Sequence, residues 1–142
     1  SISKVKYIVL LDISIKCGSN QKSSASVKLK YLNKTLTAKS GGAGPIDAIF
    51  KAIKKLITIK AHLVVYQVNA ITKGTDAQAE VSVRLQEGGV SVLGVGNDID
   101  TMVASGKAYI DGLNKLINKK NKAKDSKKIL NSSNSSIDKH VI

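Results

Sequence analysis

A glycine-rich segment interrupts the first third of the chain: Gly41-Gly42-Ala43-Gly44-Pro45-Ile46-Asp47-Ala48. Glycine adopts backbone angles that a Cβ forbids, so the segment suits a sharp connection from a strand to a helix. Proline is favoured at the first helical position, and a carboxylate two residues later is stabilised by the positive end of the helix dipole. The segment therefore predicts a helix that begins at Pro45.

A second version of this segment follows about fifty residues later, as Gly94-Val95-Gly96-Asn97-Asp98-Ile99-Asp100. The pair Ile46-Asp47 corresponds to Ile99-Asp100, and Asn97 is a candidate N-cap for a helix that starts near Asp98. The chain thus reads as one unit written twice. Because free N–H groups at a helix N-terminus bind anions, the two glycine-lined helix starts are the candidate ligand site.

Three strands are predicted before each helix, because apolar residues alternate with polar ones there and then change to helical spacing. The predicted strands cover residues 5–15, 25–31, 36–38, 63–71, 77–86 and 90–94. We therefore predict an α+β fold of two pseudo-symmetric βββα units, three-stranded sheets each with one helix. The units span about residues 5–58 and 61–118.

Composition favours one domain over residues 1–120, followed by a Lys/Ser/Asn-rich C-terminal tail over 121–142 that contains at most a short helix at 126–130. Cys17 is the only cysteine, which excludes an intramolecular disulfide and favours a reducing compartment. No apolar run reaches the roughly 18 residues that span a membrane. We expect a cytoplasmic protein that has no membrane partner.

The formal net charge of +13 raises the question of nucleic acid as a partner. Of the 23 basic residues, however, all but Arg84 are lysine, and they are spread along the chain. Specific recognition of bases and phosphates usually employs arginine. A solvated lysine-rich surface is therefore favoured over a nucleic-acid-binding face.

The sequence carries no recognisable catalytic or metal-binding constellation. His62 and His140 lie far apart, and no carboxylate–histidine cluster has metal-ligand spacing. The glycine segments lack the third glycine of the dinucleotide fingerprint and the Gly-Lys-Ser/Thr of a phosphate-binding loop. After these exclusions, the remaining candidate is a helix N-terminus whose free N–H groups could bind the carboxylate or phosphate of a ligand. The side chains of Asp47 and Asp100 could contact such a ligand or could only stabilise the positive end of the helix dipole, and both interpretations stay open.

Five segments together resemble the C-terminal regulatory domain of α-isopropylmalate synthase and of the related citramalate synthases, over about residues 5–118. They are Gly42-Ala43-Gly44-Pro45-Ile46-Asp47-Ala48, Gly74-Thr75-Asp76-Ala77, Gly94-Val95-Gly96 with Asp100, Ala104-Ser105-Gly106-Lys107-Ala108-Tyr109 and Leu113-Asn114. The resemblance implies a homodimer and feedback inhibition by a branched-chain amino acid held between the units. Leucine is the effector of the isopropylmalate enzymes, and isoleucine that of the citramalate enzymes.

The resemblance also implies which residues contact the effector. They are Gly42, Gly44, Ile46, Tyr66, Ala70, Ala77, Ala79 and Thr101. Asp47 and Asp100 join this set as the carboxylates of the two helix starts. The alanines would leave room for a branched side chain, and close packing of helix on sheet is the less favoured explanation.

Enzymes of this kind join acetyl-CoA to a 2-oxo acid in an N-terminal metal-dependent barrel. Such a barrel needs about 250 residues, so the resemblance implies a regulatory fragment without catalytic activity or cofactor of its own. The divalent metal and acetyl-CoA would bind to the barrel, and the barrel would be a partner of this domain. Two alternatives remain: an isoleucine-binding domain of a citramalate synthase, and a basic double-stranded-RNA-binding module.

Overall fold

The computed structural model describes residues 5–73 and 76–140, without the side chains of 71–73, 76 and 133–140. The order of elements confirms two βββα units. The first unit consists of β1 (Ile8–Gly18), β2 (Gln21–Tyr31), β3 (Lys34–Gly42) and α1 (Pro45–Leu56). The second consists of β4 (His62–Lys73), β5 (Asp76–Glu87), β6 (Val90–Asp98) and α2 (Thr101–His140). The turn expected at Gly74-Thr75 lies outside the described residues.

Each unit contains a three-stranded antiparallel sheet whose strands follow the chain order, β1-β2-β3 and β4-β5-β6. In the first sheet the β2–β3 hairpin turns through Leu32 and Asn33, with φ angles of 50° and 65°. Positive φ at both central residues is what a two-residue hairpin of this hand requires. The middle strand of each sheet is the most deeply buried, as its strict apolar alternation indicates.

One hydrophobic core lies between the helices and the sheets, and it joins the two units. Phe50 of α1 stacks on Tyr109 of α2, with 4.6 Å between ring centroids. α2 lies so close to β6 that a Cβ on Gly96 would overlap the backbone of Ala104 and Ala108. Glycine at this position is therefore explained by the close approach of helix and strand.

Four α2 side chains, spaced every fourth residue, bind the outer edge of β6, and we call them the edge ladder. The Val95 N–H donates to Asp111 at 2.9 Å, whereas Lys107, Lys115 and Lys119 donate to the carbonyls of Asn97, Leu93 and Ser91 at 3.4, 2.7 and 3.2 Å. Four helical residues advance about 6.0 Å and two strand residues about 6.6–6.8 Å. The two spacings nearly match, so α2 satisfies backbone groups along the strand edge that would otherwise be unpaired.

A second row on α2 binds the first unit. The side chain of Asn114 accepts from the Ile8 N–H at 2.8 Å and donates to the Ile8 carbonyl at 2.9 Å. One turn later, Asn118 donates to the carbonyl of Val5 at 3.1 Å. α2 therefore belongs to the second unit by sequence but holds the edge of β1 in the first.

Two expectations about α2 were wrong at its start. α1 begins at Pro45 as predicted, but α2 begins at Thr101, because β6 continues through Asp98 and pairs there with Ala79. The N-cap is Asp100 and not Asn97. The Asp100 carboxylate accepts from the Met102 N–H at 2.8 Å, and its carbonyl accepts from the Ala104 N–H at 2.9 Å.

The C-terminal part of α2 also differs from expectation. The sequence predicted at most a short helix at 126–130, whereas α2 is continuous to His140. No glycine or proline follows Gly112, so the strongest helix breakers are absent from this part of the chain, and its many lysines are good helix formers. Residues 122–132 of this α2 extension (121–140) are exposed. A domain boundary near residue 120 stays a prediction.

Candidate functional site

The start of α1 is built by residues of its own segment. Gly44 is the N-cap in an extended conformation, and no side chain caps this helix. The Asp47 carboxylate accepts from the Ala43 N–H at 2.8 Å and pairs with Lys51 at 3.0 Å. The Ala43 hydrogen bond and then Lys51 hold the pKa of Asp47 below its ordinary value. A Cβ on Gly42 would overlap the backbone at Ala48, so this glycine lets the strand end pass close to the helix.

The start of α2 carries more acidic groups than the start of α1. Asp98 pairs with Lys107 at 2.8 Å and accepts from the Asp100 N–H at 2.9 Å. These two contacts, with Lys107 the larger, hold the pKa of Asp98 below its ordinary value. Asp100 caps the helix, and Thr101 is its exposed first residue. Helix-end electrostatics therefore account for the carboxylates of Asp47 and Asp100 in the described structure.

The predicted alanines lie together on the second sheet. Ala70 faces Ala79 across β4 and β5, and Ala79 faces Asp98 across β5 and β6. Directly opposed residues share a face of the sheet, and residues two apart do so as well. Ala77 and Tyr66 therefore lie on the same face as this row, which is the face that buries Val81, Val83 and Leu85.

The row lies level with the beginning of α2, not beneath its middle. Gly96 is covered by the helix at Ala104–Ala108, and Gly94 by the helix at Ala108–Gly112. Asp98, and the alanines in register with it, therefore lie at the end where α2 starts. Ala70 and Ala77 are exposed and Ala79 is half-buried. Small side chains at the open end of a helix–sheet layer suit an apolar ligand of moderate size.

Tyr66 connects this sheet to both helices. Its hydroxyl lies 2.6 Å from the Ser105 hydroxyl on α2. The edge of its ring meets Phe50 on α1, with centroids 6.1 Å apart and planes at 69°. Ile46 lies one turn before Phe50 on the same face of α1, because residues four apart share a helical face. Tyr66 thus contacts both helices and shares a face of β4 with Ala70, four residues further along the strand, whereas Gly42, Gly44 and Asp47 contact their own segment.

Sequence reasoning missed three residues of this region. Phe50, Ser105 and Tyr109 were not among the predicted site residues. The one available signal was Ser105 itself, a hydroxyl within an apolar helical stripe. Ser105 and Tyr109 are fully buried, and burial raises the pKa of Tyr109 to about 12. Within the described residues the Tyr109 hydroxyl has no hydrogen-bond partner.

A separate cavity of about 440 Å³ lies between the start of β1, the end of β6 and α2. Its lining includes Lys107, Asp111 and Lys115, all of which are engaged in the edge ladder. None of the residues predicted to contact an effector lines it. In residues 5–73 and 76–140 we find no group of three or more His, Cys, Asp and Glu side chains that could hold a metal ion. The same part of the chain contains no helix of the length and apolarity that a membrane crossing requires.

Comparison with known proteins identifies similar domains. A family model described as the LeuA allosteric (dimerisation) domain matches residues 1–117. A 2-isopropylmalate synthase from Methylorubrum populi is 49% identical over 109 residues, which are 77% of this chain and 21% of the relative. One from Bradyrhizobium sp. strain BTAi1 is 47% identical over 119 residues, 84% of this chain and 23% of the relative. The chain therefore spans about a fifth of the length of these relatives.

Proposed function

The chain belongs to the LeuA allosteric (dimerisation) domain family, and on this premise we propose that it is the feedback-regulatory part of a 2-isopropylmalate synthase, with leucine as its effector. The observation that carries the proposal is the row of Ala70 and Ala79 at the open end of α2, on the same face of the sheet as Tyr66. In this proposal the chain has no catalytic activity of its own. It regulates an enzyme of leucine biosynthesis.

The effector would be bound by two kinds of contact. The N–H groups in the first turns of α1 and α2 are suited to the α-carboxylate. Ile46, Ala70, Ala77 and Ala79 would surround the branched side chain. Burying a leucine side chain contributes about 1.5–3 kcal/mol of binding free energy, so leucine should bind much more tightly than alanine or glycine. Glycine at 42 and 44 would let the α1 segment approach the ligand closely, with Asp47, Asp100 and Thr101 fixing the two helix starts.

Leucine is favoured over isoleucine because the relatives described above are named 2-isopropylmalate synthase. Isoleucine, with a citramalate synthase as the parent, remains the alternative. The catalytic step would belong to an N-terminal barrel that uses acetyl-CoA and a divalent metal and that this domain regulates. We expect this enzyme in the cytoplasm, where the exposed thiol of Cys17 would stay reduced. RNA binding is not proposed, because all basic residues but Arg84 are lysine and they are spread along the chain.

We assign the homodimer contact to β4. Large apolar side chains are exposed along this strand: Leu63 at 39%, Val64 at 52%, Val65 at 46% and Val68 at 44%. Exposed apolar strands of this kind mark interfaces or aggregation sites. A second copy on β4 would lie next to Tyr66 and Ala70, and thus next to the proposed effector site. This proximity gives a direct route by which effector and dimer could influence each other.

The effector site is tested by replacing Ala79 with leucine. The larger side chain should fill the space between Ala70 and Asp98, and calorimetry should show loss of leucine binding without loss of the fold. Ala123→Leu, on the exposed part of α2, is the matched control and should bind leucine as the parent chain does. Titrations with leucine, isoleucine, valine and alanine identify the effector. Unchanged leucine binding by Ala79→Leu would place the site elsewhere.

A further inference from the structure

The hydroxyl groups of Tyr66 and Ser105 form a chain with a defined direction. The Ser105 hydroxyl donates to the carbonyl of Thr101 at 2.7 Å and lies 2.6 Å from the Tyr66 hydroxyl. A serine hydroxyl carries one proton, and a carbonyl accepts only. The Ser105 proton is therefore committed to Thr101. It follows that Tyr66 donates its own proton to Ser105.

This direction leaves the Tyr66 hydroxyl with lone pairs and no free proton. Ser105 is fully buried, whereas Tyr66 is 36% exposed. Tyr66 is therefore the more accessible of the two residues to a ligand. A group that only accepts hydrogen bonds, such as a carboxylate, gains nothing at Tyr66. A group that only donates, such as an ammonium, fits it.

We infer that Ser105 is a positioning residue that fixes the Tyr66 hydroxyl as an acceptor for the α-ammonium group of the effector. The inference rests on the proposed function, since it requires an amino acid at this site. It also orients that ligand. The ammonium group lies toward Tyr66, and the carboxylate lies toward the helix starts, where backbone N–H groups are donors. The side chain is then directed to the alanine row.

The test compares leucine with 2-hydroxy-4-methylpentanoate, in which a hydroxyl replaces the ammonium group. This hydroxyl can donate or accept, so it tolerates either orientation of the Tyr66 proton, whereas the ammonium requires an acceptor. Both ligands are titrated by calorimetry into the 142-residue chain and into its Ser105→Ala and Tyr66→Phe variants. Hydrogen bonds to charged groups are roughly twice as strong as neutral ones. We expect Tyr66→Phe to raise the dissociation constant of leucine about tenfold or more, and that of the hydroxy acid about threefold.

For Ser105→Ala we expect about three- to fivefold weaker leucine binding and less than a twofold change for the hydroxy acid. A purely structural role of Ser105 would weaken both ligands equally, so the ratio of the two dissociation constants is the diagnostic readout. Ser126→Ala, at an exposed position of α2, and Tyr31→Phe, on β2, are the matched controls and should leave the ratio unchanged.

Two results would overturn the inference in distinguishable ways. If the parent chain binds leucine but neither Ser105→Ala nor Tyr66→Phe moves the ratio, the assignment of Ser105 and Tyr66 is wrong and the proposed function stands. If the parent chain binds neither leucine, isoleucine nor valine, the proposed function fails and the assignment fails with it. Tyr66→Phe retains the ring against Phe50, so the Tyr66 hydroxyl as acceptor is tested even if Ser105→Ala does not fold, and an unchanged ratio in Tyr66→Phe alone overturns the inference.

Discussion

The first strands of the two units, β1 and β4, occupy equivalent places in the repeat but different environments. β1 is held at its first residue, Ile8, by Asn114, and Asn118 binds Val5 just before the strand; Ile8 is 1% exposed. β4 is exposed at every position from His62 to Ala70. Both strands also contain register shifts, at Leu11 and Cys17 in β1 and at Val64 in β4. Equivalent sequence positions thus meet unequal surroundings.

The difference arises from the unequal lengths of the helices. α1 has 12 residues and ends at Leu56, whereas α2 continues long enough to bring Asn114 and Asn118 onto the other unit. The chain therefore holds the start of β1 by itself, at Ile8, and leaves β4 exposed from His62 to Ala70. The same element of the repeat can in this way contact its own chain in one unit, as β1 does, and stay available for a second copy in the other unit, as β4 does. Three predictions test this comparison.

The largest effect is expected at Asn114, which holds β1. Asn114→Ala removes two hydrogen bonds and leaves the buried N–H and C=O of Ile8 without partners. Each such loss costs about 1–3 kcal/mol, so the free energy of unfolding should fall by about 2–6 kcal/mol. Urea unfolding measures it, with Asn131→Ala in the exposed α2 extension as the control. A loss no greater than that of the control would mean that α2 does not hold β1.

The second prediction compares one register shift from each strand. Val64 and Leu11 are 52% and 48% exposed. Val64→Lys should raise the dissociation constant of the homodimer at least tenfold, because a two-fold interface would bury two added charges. Leu11→Lys introduces the same charge on β1 and should leave association unchanged. Sedimentation velocity over a concentration series measures both. Equal effects of the two variants would break the comparison and move the interface away from β4.

The smallest effect on stability is expected at Asp47, and it extends the comparison of the two units to the starts of α1 and α2. Lys51 follows Asp47 by one turn, whereas Ala104 follows its counterpart Asp100. The pKa of Asp47 is lowered from 3.8 in the folded protein. Its contribution to stability is therefore present above about pH 3.8 and is lost as pH falls through the lower folded value. The side chain is 42% exposed, so the contribution is small.

Thermal unfolding of the parent chain and of Asp47→Asn should show this pH dependence. The midpoints should differ slightly at pH 6 and converge as the pH falls below 3.8. Asp125→Asn, in the α2 extension, is the control. A difference that persists at the lowest pH, or that appears only there, would contradict the assigned hydrogen bonds.

The sequence predicted the fold well, for identifiable reasons. Apolar alternation in the strands, the glycine segments and Pro45 are local signals. The alternation and the glycine segment occur in both units, so each copy supported the interpretation of the other. The start of α2 was placed three residues early, because Asn97 and Asp98 suit a helix cap but are held in β6 by pairing with β5. The helix was ended too early because polar composition was given more weight than the absence of helix breakers after Gly112.

The candidate site was predictable only in part. The alanines and Tyr66 were predicted from a resemblance, and the strand register places them on one face. Ser105 and Asn114 could not be assigned, because their partners lie 39 and 106 residues away in sequence. A polar residue within an apolar helical stripe indicates that some buried partner exists. It does not indicate which one, since that depends on how the two units pack.

The edge ladder has a consequence for changes in the length of the chain. One residue inserted between Lys107 and Asp111 would rotate all later side chains by about 100° around the helix. Asp111, Lys115 and Lys119 would leave β6, and Asn114 would leave β1 in the same step. An insertion after Asn121 would leave all of these contacts in place. Insertions and deletions should therefore be harmful in the first half of α2 and tolerated in the second.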